Sequence, residues 1–427
     1  MADVRPFRAL RYDAARIDPA LTVAPPYDVI SPSQQAELYR RHPRNVVRLE
    51  YGEAASHDTP VDNRYTRAAR DLAEWRRDGA LTRDAHPALY AYRQEYTWEG
   101  SSFARNAVFA AVRLEEWEKG VIKPHEHTLS GPKADRLELL RATRTQISPV
   151  YGLYRAAARA HSLDLHGQPL YDIESDGQRH TLTSVSDLAG VASFRDLIAR
   201  SDVYIADGHH RYETALAYRD EARARAPSWT GDETENFVLM ALTDVRDPGL
   251  LVLPTHRVVH RPLDPSRLDA LTASFEVARR PRATVEDLLT RVAEAGRHAT
   301  AFGLLTRDGA YLLTVRAAAV AQAAMPAAQP DAWKRLDVSV LQYGVLAPLF
   351  GIDDAALADG GVVTYTQDAA AAVAAVALGD AHAAFLLNAT PVEQVLAVAD
   401  AGGRMPQKST YFYPKLPTGL VMNPLDP

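Results

Sequence analysis

The chain has 427 residues, of which 47% are hydrophobic and 24% charged, and this globular composition excludes a disordered or fibrous protein. It contains no cysteine, which excludes disulfides, thiolate metal sites and a cysteine nucleophile. The net charge of −6 gives no overall attraction to nucleic acid, and no apolar run reaches the roughly 18–20 residues of a membrane helix. The charged N-terminal segment is unlike a secretory signal, so we expect a cytoplasmic protein with no membrane partner. The overall charge argues against a nucleic-acid partner but leaves a local basic groove open. The sequence does not indicate the oligomeric state.

The periodicity of the apolar residues predicts helices and strands along the whole chain. In the first 260 residues it predicts a helix start near Pro32, a helix over 62–79, a hairpin of strands over 88–98 and 103–115, strands or edges over 147–154 and 180–188, a strand over 203–208, a helix over 211–225, and strands over 236–245 and 250–259. In the last third it predicts helices over 284–296, 337–349, 368–378 and 391–401, and strands over 300–305, 311–316, 362–366 and 383–388. The predicted fold class is mixed α/β. The predicted domains are 1–262, 263–404 and an ordered tail, 405–427, that packs back towards the site.

The densest group of polar residues is Asp207-Gly208-His209-His210-Arg211, which lies between a predicted buried strand and a helix. Glycine permits a tight turn, and the unpaired amide groups of a helix start bind anions, phosphate above all. The sequence therefore predicts a phosphate-binding loop. The aspartate at the strand end is a candidate to hold a metal ion or to orient a substrate hydroxyl. The alternative is a simple helix cap with solvated neighbours.

A second group, His125-Glu126-His127, is followed by Lys133 and by three arginines on a predicted helix, of which Arg136 is closest to the group. The histidine spacing does not match a helical zinc motif. A carboxylate near cations can instead act as general base towards a hydroxyl. An ordinary solvated helix face remains the alternative for the arginines.

The third group is the tail segment MPQKSTYFYPK, residues 405–415. Only six of the 48 basic residues are lysine, and two of these six are Lys408 and Lys415. Lysine is a compact charge suited to phosphate, so Lys408 is a candidate phosphate or nucleotide contact. The aromatic residues beside it would stack on a base or simply anchor the tail.

Five motifs in this order resemble the domain-of-unknown-function family 1015 over nearly the whole chain. They are APPYDVIS (24–31), NVVRLEYG (45–52), HEHT (125–128), DGHHRYETA (207–215) and MPQKSTYFYPK (405–415). The DGHHR segment is also similar to the phosphate loop of the ParB/sulfiredoxin-like fold, in the form found in its free-serine kinases. This resemblance implies a ParB/sulfiredoxin-like catalytic region within 1–262 and a C-terminal α/β region over 263–404.

The same resemblance implies a phosphotransferase that moves a phosphoryl group from a nucleotide or pyrophosphate to the hydroxyl of a small metabolite, with free serine the first candidate. Glu126 would be the general base, and Asp207 would position the acceptor or a magnesium ion. His209, His210 and Arg211, beside Gly208, would hold the transferred phosphate, with His210 counted as catalytic together with Glu126 and Asp207. Lys133, Arg136 and Lys408 are further candidate phosphate or nucleotide contacts, which come from the sequence patterns above and not from the resemblance. Two alternatives stay open: a ParB-like nucleotide switch, which would need a DNA-binding domain, and a non-catalytic metabolite-binding protein.

Overall fold

The structure is a computed structural model, and it describes residues 1–426 apart from 129, 157–164, 263–266, 268–270, 281–282, 317–321 and 323. The described chain divides into two compact units. Unit 1 contains Met1–Leu251 together with Pro414–Pro427, and unit 2 contains Val252–Tyr413. These limits differ from the predicted domains 1–262, 263–404 and 405–427, which stay predictions.

Unit 1 is built around a mixed sheet of nine described strands. The strands of this unit up to residue 251 are β1 (Val4–Arg5), β2 (Leu10–Tyr12), β3 (Leu81–Arg83), β4 (Leu89–Trp98), β5 (Ser101–Arg113), β6 (Ile122–Lys123), β7 (Thr145–Gln146), β8 (Val150–Arg155), β9 (Gln168–Ser175), β10 (Gln178–Val185), β11 (Asp202–Asp207) and β12 (Phe237–Asp244). The strand order in the large sheet is β6-β11-β8-β12-β5-β4-β10-β9, with β1 also paired to β5. The β6–β11 and β8–β12 pairs are parallel and the others antiparallel.

The helices of unit 1 include the long helix that follows β11. They are α1 (Pro32–Arg41), α2 (Val47–Glu50), α3 (Arg64–Arg77), α4 (Ser130–Thr143), α5 (Leu188–Ala199) and α6 (His209–Arg225), with 3₁₀ turns at Pro19–Leu21, Tyr27–Val29, Trp117–Lys119 and Thr234–Asn236. Apolar residues of α6 such as Tyr212 and Ala215 pack with Val150 and Met240 of the sheet in one buried core. Burial of this helix face fixes the start of α6 against the end of β11.

Unit 2 contains a six-stranded sheet in the order β15-β17-β16-β19-β14-β18 and a two-stranded sheet of β13 and β20. Its strands are β13 (Leu251–Leu253), β14 (His256–Val259), β15 (Phe275–Arg279), β16 (Ala301–Thr306), β17 (Gly309–Val315), β18 (Val363–Thr366), β19 (Ala383–Leu386) and β20 (Tyr411–Tyr413). Its described helices are Val285–Gly296, Asp331–Lys334, Asp337–Leu341, Ala347–Phe350, Asp354–Asp359, Ala369–Leu378 and Val392–Asp400, with a π-helical turn at Gln342–Leu346.

After unit 2 the chain returns to unit 1. The last strand, β21 (Asn423–Pro424), pairs antiparallel with β7. Two isolated bridges, between Thr418 and Ala24 and between Met422 and Leu10, join the same segment to the N-terminal region. Residues 414–426 are therefore an ordered part of unit 1.

The mixed α/β class predicted from the sequence is confirmed. Most predicted elements lie within a few residues of the observed ones, but the single strand predicted over 250–259 is wrong. Pro254 separates β13 from β14, because proline cannot donate a ladder hydrogen bond. The sequence patterns did not predict β9, α5 or β15. The predicted alanine-rich linker at 317–328 falls partly outside the described residues.

Candidate functional site

The junction between β11 and α6 has the strand–glycine–helix geometry that the sequence predicts. Gly208 is the N-cap of α6 and has the left-handed φ of 88°. It makes no side-chain capping bond, and the first turn of α6 carries no acidic residue. The amide groups of this turn have no capping side chain from Gly208, and their partial positive charge attracts an anion.

Asp207 ends β11 and is held by two cations. Its Oδ2 lies 3.2 Å from Nη2 of Arg211, and its Oδ1 lies 3.4 Å from Nζ of Lys415. Burial alone would raise the pKa of this carboxyl group, but Lys415, Arg211 and His209 outweigh burial and lower the pKa to about 2. Asp207 is therefore a carboxylate throughout the neutral range. Its side chain is 21% exposed, so one face of the group remains open to solvent.

His125 and His209 form a buried pair next to this carboxylate. The backbone N–H of His125 donates to Nε2 of His209 at 3.2 Å, and the two rings meet edge to face with centroids 4.7 Å apart. The Nδ1 of His125 also contacts the carbonyl oxygen of Ile205 at 2.6 Å. This network ties the HEHT segment to the start of α6, although the two are far apart in sequence.

His210 is surrounded by charged groups from four segments of unit 1. Burial lowers its pKa, Glu126, Asp28 and Glu213 act in the opposite direction, and Lys133 lowers the pKa further. The net pKa lies below the usual value, so the imidazole is mainly neutral at pH 7. Glu126 and Lys133, both predicted site residues, therefore lie within electrostatic range of His210.

Glu213 gives the HEHT segment and α4 a common anchor on α6. Its Oε2 accepts hydrogen bonds from Oγ1 of Thr128 at 2.6 Å and from Nζ of Lys133 at 3.0 Å. Its Oε1 accepts a 3.3 Å hydrogen bond from Nε1 of Trp117. Burial would raise the pKa of Glu213, but these partners lower it below the usual range. Lys133 is thus already paired with a carboxylate.

Arg136 lies deeper and is neutralised by acids. It is 6% exposed and forms ion pairs with Glu50 at 3.3 Å and with Asp135. Its guanidinium also lies 4.0 Å from the ring centroid of Tyr27. Burial raises the pKa of Glu50, against the opposing effects of Arg136 and of the hydrogen bond from Ser148. The role of Arg136 in phosphate binding stays a prediction.

A small cavity of about 50 Å³ lies beside the ion pair of Glu50 and Arg136. Its lining includes Glu50, Arg136, Ser148 and Arg211. The Nη1 group of Arg211 donates to the carbonyl oxygen of Pro149. Arg211 therefore connects the loop carboxylate Asp207 with the buried polar cluster behind it.

Lys408 belongs to unit 2, and its position in the same cleft as His209 stays a prediction. It has a left-handed φ of 56°, and its carbonyl oxygen accepts a 3.2 Å hydrogen bond from Nη2 of Arg257. For a metal ion, the described residues contain no cluster of three or more histidine, aspartate or glutamate side chains.

Sequence reasoning missed three polar residues that contact the predicted ones: Lys415, Glu213 and Glu50. Lys415 could be noticed as one of the few lysines, but its ion-pair partner Asp207 lies much earlier in the sequence. Glu213 stands one helical turn after His209, a spacing that places both side chains on one face of α6. Residues from all five sequence motifs thus meet in unit 1, the first through Tyr27 and the last through Lys415.

Comparison with family models identifies the family of this chain. The model described as "Protein of unknown function (DUF1015)" matches residues 4–339. The chain therefore belongs to this family, as the motifs predicted. A comparison with curated proteins found no match.

Solved structures resemble the chain only distantly. A conserved hypothetical protein from Pyrococcus furiosus shares 15% identity, over 74% of this chain and 94% of that chain, with a TM-score of 0.35. A free serine kinase in complex with AMP shares 14% identity, over 74% and 90% of the two chains, with a TM-score of 0.36. Because these TM-scores are below 0.5, they carry no argument about this chain. The ParB/sulfiredoxin-like core stays a prediction.

Proposed function

We propose that the chain is a phosphotransferase that moves a phosphoryl group from a nucleotide or pyrophosphate to the hydroxyl group of a small metabolite. The observation that carries the proposal is the position of Glu126, which lies within electrostatic range of His210. His210 is the second residue of α6, and Gly208, the N-cap of this helix, makes no side-chain capping bond. Phosphoryl transfer to a hydroxyl requires a base that accepts the hydroxyl proton and a group that binds the phosphate, and Glu126 and the start of α6 would supply these two functions side by side.

The proposal gives each residue a distinct task. Glu126 takes the proton from the acceptor hydroxyl as its oxygen attacks phosphorus. The start of α6, with Gly208 and the side chains of His209, His210 and Arg211, holds the oxygens of the transferred group. Lys133 and Lys408 clamp the donor phosphates. This catalysis consists mainly of positioning and charge stabilisation.

Asp207 orients the acceptor rather than the donor. Its low pKa makes it a permanent hydrogen-bond acceptor for a hydroxyl or ammonium group. The sequence also predicts magnesium on Asp207. Both carboxylate oxygens face cations, Lys415 and Arg211, so this group is not arranged as a magnesium ligand, and no step of the proposal runs through a metal ion.

The proposal also includes the compartment, the acceptor and the kind of partner that were predicted from the sequence. The reaction takes place in the cytoplasm, the acceptor belongs to serine metabolism, and the partners are small molecules rather than nucleic acid. In the described chain no helix is both long and apolar enough to span a membrane.

A screen of donors against acceptors tests the function directly. The full chain is incubated with ATP, ADP or pyrophosphate and with L-serine, D-glycerate or ethanolamine, and phosphorus NMR detects a new phosphomonoester. We expect a new signal for at least one pair, and we expect it to vanish in the Asp207→Asn variant. Binding of the donors without any transfer would contradict the proposal and favour a non-catalytic binding protein.

A further inference from the structure

A cavity of about 720 Å³ lies in unit 1 at the start of β11, the end of this strand that is remote from the loop at Asp207. Its lining comes from residues 1–2, 119–121, 155–156 and 199–202. Because β11 runs from Asp202 to Asp207 and a strand rises by about 3.3 Å per residue, the two ends lie roughly 16 Å apart. The cavity is therefore separate from the start of α6. Pockets for small molecules typically measure about 300–1,000 Å³, so it is large enough to hold one.

Positive side chains outnumber negative ones in the lining of this cavity. The charged residues that line it are Asp202, Lys119, Arg155 and Arg200. Asp202 is itself paired, because its Oδ1 lies 3.1 Å from Nζ of Lys123 and its Oδ2 lies 2.7 Å from Nη2 of Arg155. Burial would raise the pKa of Asp202, but Arg155 and Lys123 outweigh burial and lower it below the usual value. The one lining carboxylate is thus already neutralised.

Lys119 and Arg200 add positive charge at the exposed rim of the cavity. Nζ of Lys119 lies 2.6 Å from a carboxylate oxygen of Glu115. Arg200 is the C-cap of α5, is exposed, and forms no ion pair with the residues that the structure describes. The three lining cations face one lining carboxylate, so the cavity favours an anionic ligand.

Tyr204 fixes two cations beside the cavity. Nζ of Lys123 lies 5.1 Å from the centroid of its ring, and the guanidinium carbon of Arg155 lies 5.3 Å from the same centroid. Tyr204 is buried in β11, so the ring itself is held by the sheet. Arg155 is thereby positioned by both a ring and a carboxylate. A side chain that is already ordered loses little conformational entropy when it binds a ligand.

The lysines of this region are a sequence feature that the proposed function does not use. Lys119 and Lys123 are two of only six lysines in a chain with 48 basic residues. Lysine offers a compact charge to phosphate oxygens, and arginine offers paired N–H groups to the same oxygens. A phosphate group has three strong acceptor oxygens, which matches a cavity lined by three cations better than the two oxygens of a carboxylate do.

We propose that this cavity is a second anion site, which binds the phosphate group of a phosphorylated small molecule. Lys119, Arg155 and Arg200 contact the phosphate, and the remaining volume holds the organic part of the ligand. This inference goes beyond the phosphotransferase and does not depend on it, because none of these three residues belongs to the site at the start of α6.

Calorimetry on the full chain tests the site with matched pairs of compounds. Ribose 5-phosphate is compared with ribose and AMP with adenosine, with inorganic phosphate and citrate as further probes. We expect the wild type to bind at least one phosphomonoester and to bind its phosphate-free partner much more weakly. We expect the double variant Lys119→Gln/Arg200→Gln to lose about 10-fold or more of that affinity, because it removes two charged hydrogen-bond donors.

Two single variants serve as controls for position. Arg179→Gln removes an arginine from another cavity of unit 1, of about 620 Å³, and should keep the wild-type affinity. Glu95 and Asp172 neutralise Arg179 in that cavity, at 3.8 and 2.7 Å. His210→Ala alters the start of α6 and should keep the phosphomonoester binding that is lost in the double variant.

Stability separates a ligand contact from a structural role of Arg200. Both residues of the double variant are exposed, so it should melt at nearly the wild-type temperature. A cation at a helix C-terminus also interacts favourably with the helix dipole. A clearly lower melting temperature with unchanged phosphomonoester affinity would assign Arg200 to the end of α5 alone and overturn the inference.

The remaining outcomes decide the ligand class and the place of binding. Equal affinity for both members of both pairs, or wild-type affinity in the double variant, overturns the inference. Binding that is lost in His210→Ala and kept in the double variant overturns it too, because the phosphate then binds at the start of α6. Citrate or inorganic phosphate binding as tightly as both phosphomonoesters overturns the ligand class. Binding that depends on Lys119 and Arg200 in a chain that transfers no phosphoryl group would support the inference and reject the phosphotransferase.

Discussion

The ammonium group of Lys415 lies 3.4 Å from the carboxylate of Asp207, and this ion pair joins the segment after unit 2 to the end of β11 in unit 1. Lys415 contacts Oδ1 of Asp207 and Arg211 contacts Oδ2, and together the two cations keep Asp207 charged and in place. The fold thus depends on a distant residue to complete the loop at the start of α6.

Replacing Lys415 with methionine should therefore raise the pKa of Asp207 and lower the free energy of unfolding by about 1–3 kcal/mol at neutral pH. The folded-state pKa of about 2 lies below the unfolded value of about 3.9, so this carboxylate stabilises the fold above pH 4 and loses its effect as the pH falls towards 2. Urea unfolding at several pH values should show the largest difference from wild type above pH 4. Lys119→Met, which removes an exposed pair with Glu115, is the control. If the variant's lower free energy of unfolding persisted unchanged at pH 2, the loss of stability would come from packing and not from the ion pair with Asp207.

Replacing Glu126 with glutamine separates a general base from a structural residue. The glutamine keeps the shape but accepts no proton at neutral pH, so turnover should fall by about 10²- to 10⁴-fold. Donor affinity and melting temperature should change little. Glu118→Gln, an exposed substitution outside the site, should keep full activity. Near-normal turnover in a folded Glu126→Gln variant would end the assignment of Glu126.

How much of this site is readable in the sequence depends on how local each contact is. The β11–Gly208–α6 junction was predictable because an apolar run, a glycine and a helical period follow one another directly. The pairing of Lys415 with Asp207 was not, because it depends on how β21 and the bridges at Thr418 and Met422 return the chain to unit 1. Lys133 was predicted as a candidate phosphate contact, and that role stays a prediction. Its hydrogen bond to Glu213 was not predictable, because it depends on how α4 packs against α6.

The lowered pKa of His210 predicts how anion affinity depends on pH. An anion favours the protonated imidazole, so sulfate affinity should rise as the pH falls from 7.5 to 5.5, below the ordinary histidine pKa of about 6.5. Sulfate itself does not titrate in this range, and calorimetry can measure its binding. His210→Ala should bind sulfate more weakly and lose most of this increase. An equally steep increase in the alanine variant would show that another group is responsible.

The glycine of the loop should be irreplaceable for two separable reasons. Alanine at Gly208 must adopt a left-handed φ, which costs about 1–2 kcal/mol, and its Cβ would lie 2.8 Å from Nε of Arg211. Gly100, with φ 76° and no atom within 4 Å of an added Cβ, is a control that has only the first cost. We expect Gly208→Ala to unfold at lower urea than Gly100→Ala and to bind sulfate several-fold more weakly. Equal stability of the two variants would show that Arg211 yields freely.

The return of residues 414–426 to unit 1 has a consequence for how the protein is made. On the ribosome, β11 and α6 emerge long before Lys415, and the whole of unit 2 is synthesised between them. Until then Asp207 lacks one of its two cations and β7 lacks its partner β21. Because contacts between distant parts of a chain form late and slowly, the nascent chain passes through a stage in which the loop is present but incomplete. The loop at the start of α6 is thus completed only after unit 2 and the segment that follows it have been synthesised.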